Sequence, residues 1–189
     1  MLNIFAIENP ENSMEWMIFL ANKYAGMFWK GTGLTLFIAV LGTLLGFLVG
    51  YVIGMIQDAQ TSPGDHVIRR LLLKLIKFAA AVYVEIFRDT PMIVQAMIIY
   101  FGIRQAGVEI TPVSAGILVT VLNTGAYMAE TVRAGIGSID QGQREGAWAM
   151  GMSPMKTMVY IVLPQAFKNI IPEMANTFLT NLKMTSVLN

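Results

Sequence analysis

Residues 31–56 read GTGLTLFIAVLGTLLGFLVGYVIGMI, 26 residues without a charged side chain. As a helix this stretch is about 39 Å long, against a bilayer hydrocarbon core of about 30 Å, so it crosses with length to spare for tilt. The whole chain agrees: of 189 residues 55% are hydrophobic and 13% charged, where soluble domains carry roughly 25% charged residues. This is the composition of a membrane protein, and its long uncharged runs read as spanning helices, so an all-α membrane protein is expected. Thirteen Lys and Arg against twelve Asp and Glu leave a net charge of +1, which gives no basic field to attract nucleic acid. The absence of cysteine excludes disulfides, thiolate zinc sites and cysteine nucleophiles. Fourteen methionines beside a single histidine read as core filler rather than a copper path, and no metal or cofactor is expected. The N-terminus, MLNIFAIENPENSMEW, has neither a basic leader nor an apolar stretch followed by small residues, so the first span is expected to remain in the mature protein. Residues 1–30 read as an extracytoplasmic or interfacial segment, with Met14 to Phe28 an interfacial helix and Tyr24, Phe28 and Trp29 at headgroup level.

Inside the first span Gly42, Gly46, Gly50 and Gly54 recur every four residues. That spacing bares one strip of backbone and lets another helix approach closely. Glycine is also common in membrane helices generally. Four in register, each unfavourable by about 1 kcal/mol relative to alanine in an aqueous helix, favour a packing face, whose partner the spacing does not name. Further spans are expected over about 78–103, 110–132 and 165–188. The second is interrupted: Asp89-Thr90-Pro91 reads as a helix start, and the piece from Pro91 to Ile103 is only about 20 Å long. Between Gln57 and Lys77 lie Arg69, Arg70, Lys74 and Lys77, whereas the turn from Arg104 to Glu109 holds only Arg104. The basic connection therefore belongs in the cytoplasm, the N-terminus outside, and Arg133 to Lys168 back in the cytoplasm. His66, beside Pro63-Gly64, reads as solvated.

The cytoplasmic stretch contains REGAWAMGMSPMKTMVYIVLP, residues 144–164. Arg144 to Met150 makes about two helical turns, too short to hold itself in water. Gly151 suits the left-handed residue beyond a helix end, Ser153 and Pro154 suit the cap and first turn of a new helix, and that second helix is expected to end at Pro164. Trp148, Met150 and Met152 form an apolar knob beside the charged Arg144 and Glu145. Docking of the knob in a cytosolic partner's groove and its lying on the lipid surface stand level on chemistry alone.

Several motifs in this half resemble a known family. Glu145-Gly146-Ala147, then Gly151, Ile161 and Leu163-Pro164, resemble the E-A-A, G, I-x-L-P signature of permease subunits of bacterial ATP-binding-cassette (ABC) importers. Glu85-x-x-Arg88-x-Thr90-Pro91, followed by Gln95 and Tyr100-Phe101-Gly102, and Ala126-Tyr127-x-Ala129-Glu130-x-x-Arg133, resemble the polar amino acid subgroup of those permeases. The resemblance covers Gly31 to the C-terminus and rests on ordered, spaced motifs rather than one pattern. It implies a type I ABC importer permease fold with a five-helix core, of which four helices are present here and the last is expected to be missing. It implies a coupling helix, with Arg144, Glu145, Gly146, Ala147, Trp148 and Gly151 meeting an ATPase. The implied partners are two ATP-binding-cassette subunits, a second permease, identical or related, an extracytoplasmic substrate-binding protein, a polar amino acid and membrane lipid, in a bacterial cytoplasmic membrane. Gly146 stands where the signature has alanine, at a cost of up to about 1 kcal/mol of helix propensity.

No G-x-x-x-x-G-K-[ST] cradle is present, so ATP hydrolysis is assigned to a partner and the chain is not read as an enzyme. An intramembrane protease is excluded by the lack of G-x-S-x-G and H-E-x-x-H. A transporter outside the ABC class, or a scaffold subunit, stays as the alternative. Polar residues within spans are costly and hence candidates for the substrate path: Asn123, Tyr127, Glu130, Glu173, Asn176, Asn181 and Lys183. Glu130 and Arg133, three apart, fit an interfacial ion pair equally well, and Lys183 could snorkel to an interface. Glu85 to Asp89 is expected at the membrane edge as a structural charge cluster.

Overall fold

A computed structural model of the chain describes residues 11–59, 64 and 66–185. Residues 1–10 of the expected interfacial segment, Pro63 beside His66, and residues 186–188 of the expected last span lie outside the described residues. The described residues form helices joined by short turns. Helix α1 (Ser13–Lys23) begins where the Asn12 side chain accepts the amide hydrogen of Glu15. Helix α2 (Ala25–Asp58) has 34 residues and takes in the whole uncharged run. Helix α3 (Val67–Asp89) is followed by a break at Thr90-Pro91 and by α4 (Met92–Gln105). The break has a chemical cause, because the residue before proline is driven out of the α region, and Thr90 has an extended backbone.

Helix α3 corrects one expectation. The basic residues placed in a connection up to Lys77 are helical from Val67 onward; the apolar residues between them form one face at helical spacing, which overrides reading the charges as a loop. Helix α5 (Pro112–Gly137) starts with the Thr111 side chain accepting from the Ser114 amide and proline in the first turn. Then come α6 (Gln141–Ala149), the four-residue α7 (Pro154–Thr157), a π turn over Met158–Val162 and α8 (Leu163–Thr185). The chain does not stop being helical at Pro164. The wide π turn runs directly into α8 and accommodates Pro164, which has no N–H to donate to the preceding turn.

Among the described residues two helices, Ala25–Asp58 and Pro112–Gly137, are long and apolar enough to cross a membrane, and Met92–Gln105 is a shorter apolar helix. Helix α5 is the centre of the fold, in contact with α2, α3, α4 and α8. Its buried residues include Val119, Thr120, Thr124, Gly125, Met128 and Val132. The glycine strip of α2 lies against this face in register: Gly42 on Thr120, Gly46 on Thr124, Gly50 on Met128 and Gly54 on Val132. Both series rise together by four, so the helices run parallel with their i, i+4 rows matched. A Cβ on Gly50 would sit 2.7 Å from the carbonyl oxygen of Gly125 and 2.8 Å from the amide nitrogen of Ala129, so backbone meets backbone there. Helix α8 runs antiparallel to α5, with Ile170 beside Gly135 and Asn181 beside Thr124. Tyr51 of α2 stacks on Phe167 of α8 at 5.7 Å, next to a core of Val132, Ile136, Val162, Leu163, Ala166 and Ile170.

Candidate functional site

The break between α3 and α4 leaves the last carbonyls of α3 without helical partners. Side chains supply the missing donors: Gln95 Nε2 donates to the carbonyl oxygens of Phe87 (3.0 Å) and Thr90 (2.9 Å), and Asn123 Nδ2 of α5 donates to Phe87 O at 3.0 Å and to Gln95 Oε1 at 3.2 Å. Tyr127, one turn on, donates its hydroxyl to Arg88 O at 3.4 Å, and the Arg88 guanidinium lies 5.6 Å from the Tyr127 ring centre. Asn123 and Tyr127 thus stitch the broken helix to the middle of α5.

A cavity of about 480 Å³ opens against this stitched break. Its walls are Arg88, Asp89, Thr90, Pro91 and Met92 from the break, Asn123 and Tyr127 from α5, and Glu173, Asn176, Thr177, Thr180, Asn181 and Met184 from α8. Five expected path residues meet there: Asn123, Tyr127, Glu173, Asn176 and Asn181. Asn181 also holds the bundle together. It is 3% exposed and donates to Thr43 Oγ1 of α2 (2.8 Å) and Thr124 Oγ1 of α5 (2.9 Å), so one amide ties three helices. Asn176 donates to Glu173 at 3.3 Å on the cavity wall. The walls offer one guanidinium, two carboxylates, three amides and hydroxyls, a set that matches a small zwitterion bearing a polar side chain.

Glu130 and Lys183 fall elsewhere. Glu130 is paired with Arg133, whose Nε donates to it at 3.1 Å, and lines a separate groove with Gln57, Glu85 and Arg88. Lys183 is exposed on α8 and is not in the wall of the central cavity. Arg88 and Asp89 line the cavity, because the break turns the end of α3 toward the middle of α5. The sequence carried a signal for this in the Asp89-Thr90-Pro91 helix start. Thr177 and Met184 had no signal beyond sharing a helical face with Glu173, Thr180 and Asn181.

The second assembly is the α6 elbow. Asp140 caps it, its carboxylate accepting from Gly142 N at 2.7 Å. At the far end Gly151 adopts φ +81°, while Met152 N donates to Ala147 O (3.0 Å) and Gly151 N to Trp148 O (2.9 Å). This is the paired closing pattern of a Schellman end. Ala147 is buried and α6 packs on the π turn, whereas Trp148 and Met150 stay 47% and 76% exposed. Arg144 donates to Ile136 O at the end of α5 (3.2 Å), and Asn169 of α8 donates to Ser138 Oγ (2.9 Å). Arg144 thus fastens α6 to the end of α5, α6 packs on the π turn that leads into α8, and the Asn169–Ser138 bond ties α8 to the end of α5. Glu145 and Gly146 are exposed.

Helix order, the broken span and the capped elbow are those of a type I ABC importer permease, a class that comparison with known proteins bears out. Residues 66–189 match the family described as the binding-protein-dependent transport system inner membrane component, and the chain belongs to that family. It is 43% identical over 107 residues to the arginine transport system permease protein of Bacillus subtilis (strain 168), covering 56% of this chain and 49% of that one. It is 33% identical over 160 residues to the glutamine transport system permease protein of Escherichia coli (strain K12), covering 84% and 68%. The chain spans about half the length of the Bacillus relatives it matches. A crystal structure of an amino acid ABC transporter with histidines superimposes with a TM-score of 0.79 at 33% identity, over 95% of this chain and 76% of that one. An inward-facing MetNI methionine ABC transporter shares the fold with a TM-score of 0.66 at 24% identity, over 85% and 73%.

Proposed function

We propose that this chain is a permease subunit of an ABC importer that moves a polar amino acid across the bacterial cytoplasmic membrane, N-terminus outside. The observation that carries the reading is the exposed, capped α6, fastened to the end of α5 and packed on the π turn that leads into α8. In this reading residues 31–189 are the transmembrane domain and α6 is the surface that meets an ATPase. ATP hydrolysis resides in two partner subunits. A second permease completes the pore, and an extracytoplasmic binding protein delivers the cargo. Arg144, Glu145, Trp148 and the Gly151 bend form the docking surface, with Gly146 keeping it narrow and Ala147 seating it. A push on α6 passes through Arg144 to α5 and through the π turn to α8, with Asn169 holding α8 to the end of α5, so the two helices move together against the α3–α4 break and change the shape of the cavity. There Arg88 faces the cargo's carboxylate, Glu173 or Asp89 its ammonium, and Asn123, Asn176 and Thr180 its side chain. The arginine and glutamine transport names of the relatives support that cargo class. Lys183 and the Glu130–Arg133 pair are assigned to the rims of the path.

The test is co-reconstitution with the ATPase and binding protein in vesicles. Gly151→Pro or Glu145→Lys is expected to abolish uptake while inserted protein and ATP hydrolysis persist. Unchanged uptake would remove the coupling role. Because the chain has no cysteine, a single Met150→Cys reports sidedness: modification by an impermeant reagent from the outer face of intact cells would overturn the topology.

A further inference from the structure

Beside the central cavity lies a groove of about 360 Å³, within the size range of small-ligand sites. Its polar wall is Gln57 at the end of α2, Lys77, Glu85 and Arg88 along α3, and Glu130 and Arg133 of α5. Glu130 and Arg133 satisfy each other. The other groups do not. Lys77 is half-buried, whereas Arg69, Arg70 and Lys74 before it are exposed. Among the described residues neither the Lys77 ammonium nor the Glu85 carboxylate has a partner. Eight residues apart on one helix, they lie about 12 Å from each other along its axis, too far to pair. The side-chain oxygen of Gln57 is buried and accepts no hydrogen bond. Polar groups inside a span are costly unless something meets them. An ammonium, a carboxylate, an amide oxygen and the Arg88 guanidinium, all facing one groove, are the complement of an α-amino acid with a polar side chain.

Gln57 is next to the last residue of α2, and Arg133 lies one turn before the end of α5. Those two helix ends face the cytoplasm in the orientation proposed above, so the groove is reached from that side. One residue, Arg88, lines both the groove and the cavity. We infer that the groove is a second amino acid site, filled from the cytoplasm, at which accumulated cargo slows its own import. Arg88 takes the carboxylate of the molecule in the groove, Glu85, one turn away, takes its ammonium, and Lys77 and Gln57 take its polar side chain. A guanidinium held in the groove is withdrawn from the cavity, so the next cargo molecule meets no cation there for its carboxylate. Occupation of either site therefore weakens the other, as linkage requires. The inference rests on the transport reading for its orientation and its ligand class.

The test uses the assembled transporter in proteoliposomes, empty or loaded beforehand with millimolar amounts of whichever standard amino acid it imports fastest. Loading is expected to slow uptake by wild type about fivefold, the low end of coupling between two sites. Lys77→Gln and Glu85→Gln should import into empty vesicles as wild type does and lose the slowing, and Lys77→Arg should keep it. Equal uptake by wild type into loaded and empty vesicles, or equal slowing in the Gln variants, overturns the inference and leaves the transport reading standing. No uptake of any amino acid overturns both. Should the Gln variants assemble poorly, Ala81→Cys on the groove wall decides, in a chain with no other cysteine. In inside-out vesicles the same amino acid should slow maleimide labelling of that cysteine about fivefold. Labelling at an unchanged rate, or no labelling from the cytoplasmic face, refutes the site.

Discussion

Replacing Gly50 by alanine tests the close packing of α2 on α5 most directly. The new Cβ would lie 2.5 Å from Met128 Cβ, 2.7 Å from Gly125 O and 2.8 Å from Ala129 N. Ordinary carbon contacts sit near 3.5–4.0 Å, so α2 must back away by about 1 Å, because two of the three obstacles are backbone and cannot rotate aside. Overpacking of this kind costs about 1–3 kcal/mol, and the retreat also stretches the neighbouring contacts of Gly46 and Gly54. Against this, alanine is the better helix former by up to about 1 kcal/mol. The net expectation is destabilisation by about 1–2 kcal/mol, the clash outweighing the propensity. Gly33→Ala is the internal control, since nothing lies within 4 Å of its Cβ position; it gains the propensity without the clash. Thermal denaturation of the two purified variants in the same detergent should place Gly50→Ala below wild type and Gly33→Ala at or above it. If Gly50→Ala proved as stable as Gly33→Ala, the close approach of the two helices would be wrong.

Gly146→Ala restores the residue of the signature at a site where a Cβ meets nothing within 4 Å; it should stabilise α6 by up to about 1 kcal/mol and leave uptake equal or faster, measured in reconstituted vesicles. Asn181→Ala removes two hydrogen bonds to buried threonines; at about 0.6 kcal/mol per interhelical bond in a membrane protein plus lost packing, a loss of about 1–2 kcal/mol is expected, and double-mutant cycles with Thr43→Ala and Thr124→Ala should show coupling. Asp140→Ala removes the cap of α6 and should cost about 1 kcal/mol, read as faster amide exchange over residues 141–149 with the membrane core unchanged. Asn123→Ala unstitches the broken helix and should lower uptake without releasing the ATPase, checked by co-purification.

What the sequence made legible follows from what kind of force each feature obeys. The uncharged runs at 31–56 and 110–129 could be read from composition because burial in hydrocarbon is decided residue by residue. The far side of the elbow could be read because capping is local: Gly151 and Ser153 each act within four residues, whereas the start of α6 at Gln141, capped by Asp140, was not read. Pro164 misled, since local chemistry says that proline stops a helix, whereas the π turn before it lets the axis continue. The basic start of α3 misled for a related reason, a charged pattern being counted before its helical period. The cavity was half legible. Asn176, Asn181 and Glu173 stood out as polar residues on one helix, but Arg88 and Asp89 reach them only through a break whose direction depends on Gln95 and Asn123, 28 residues apart and joined in space at 3.2 Å.

That same dependence bears on mechanism. A continuous helix through Thr90 would carry its own hydrogen bonds and be indifferent to its neighbours. A broken one lends its carbonyls to Gln95 and Asn123, so its geometry is set by the position of α5. Helix α5 is in turn held at its C-terminal end by Arg144 of the elbow. The two sites are therefore joined by one rigid helix with hydrogen-bonded ends, and Asn123 is where a displacement at α6 would first be felt by the cavity. Arg144→Ala should accordingly weaken the dependence of uptake on ATP more than Asn169→Ala does, since the first removes the bond from α6 to α5 and the second only a bond between α8 and the end of α5.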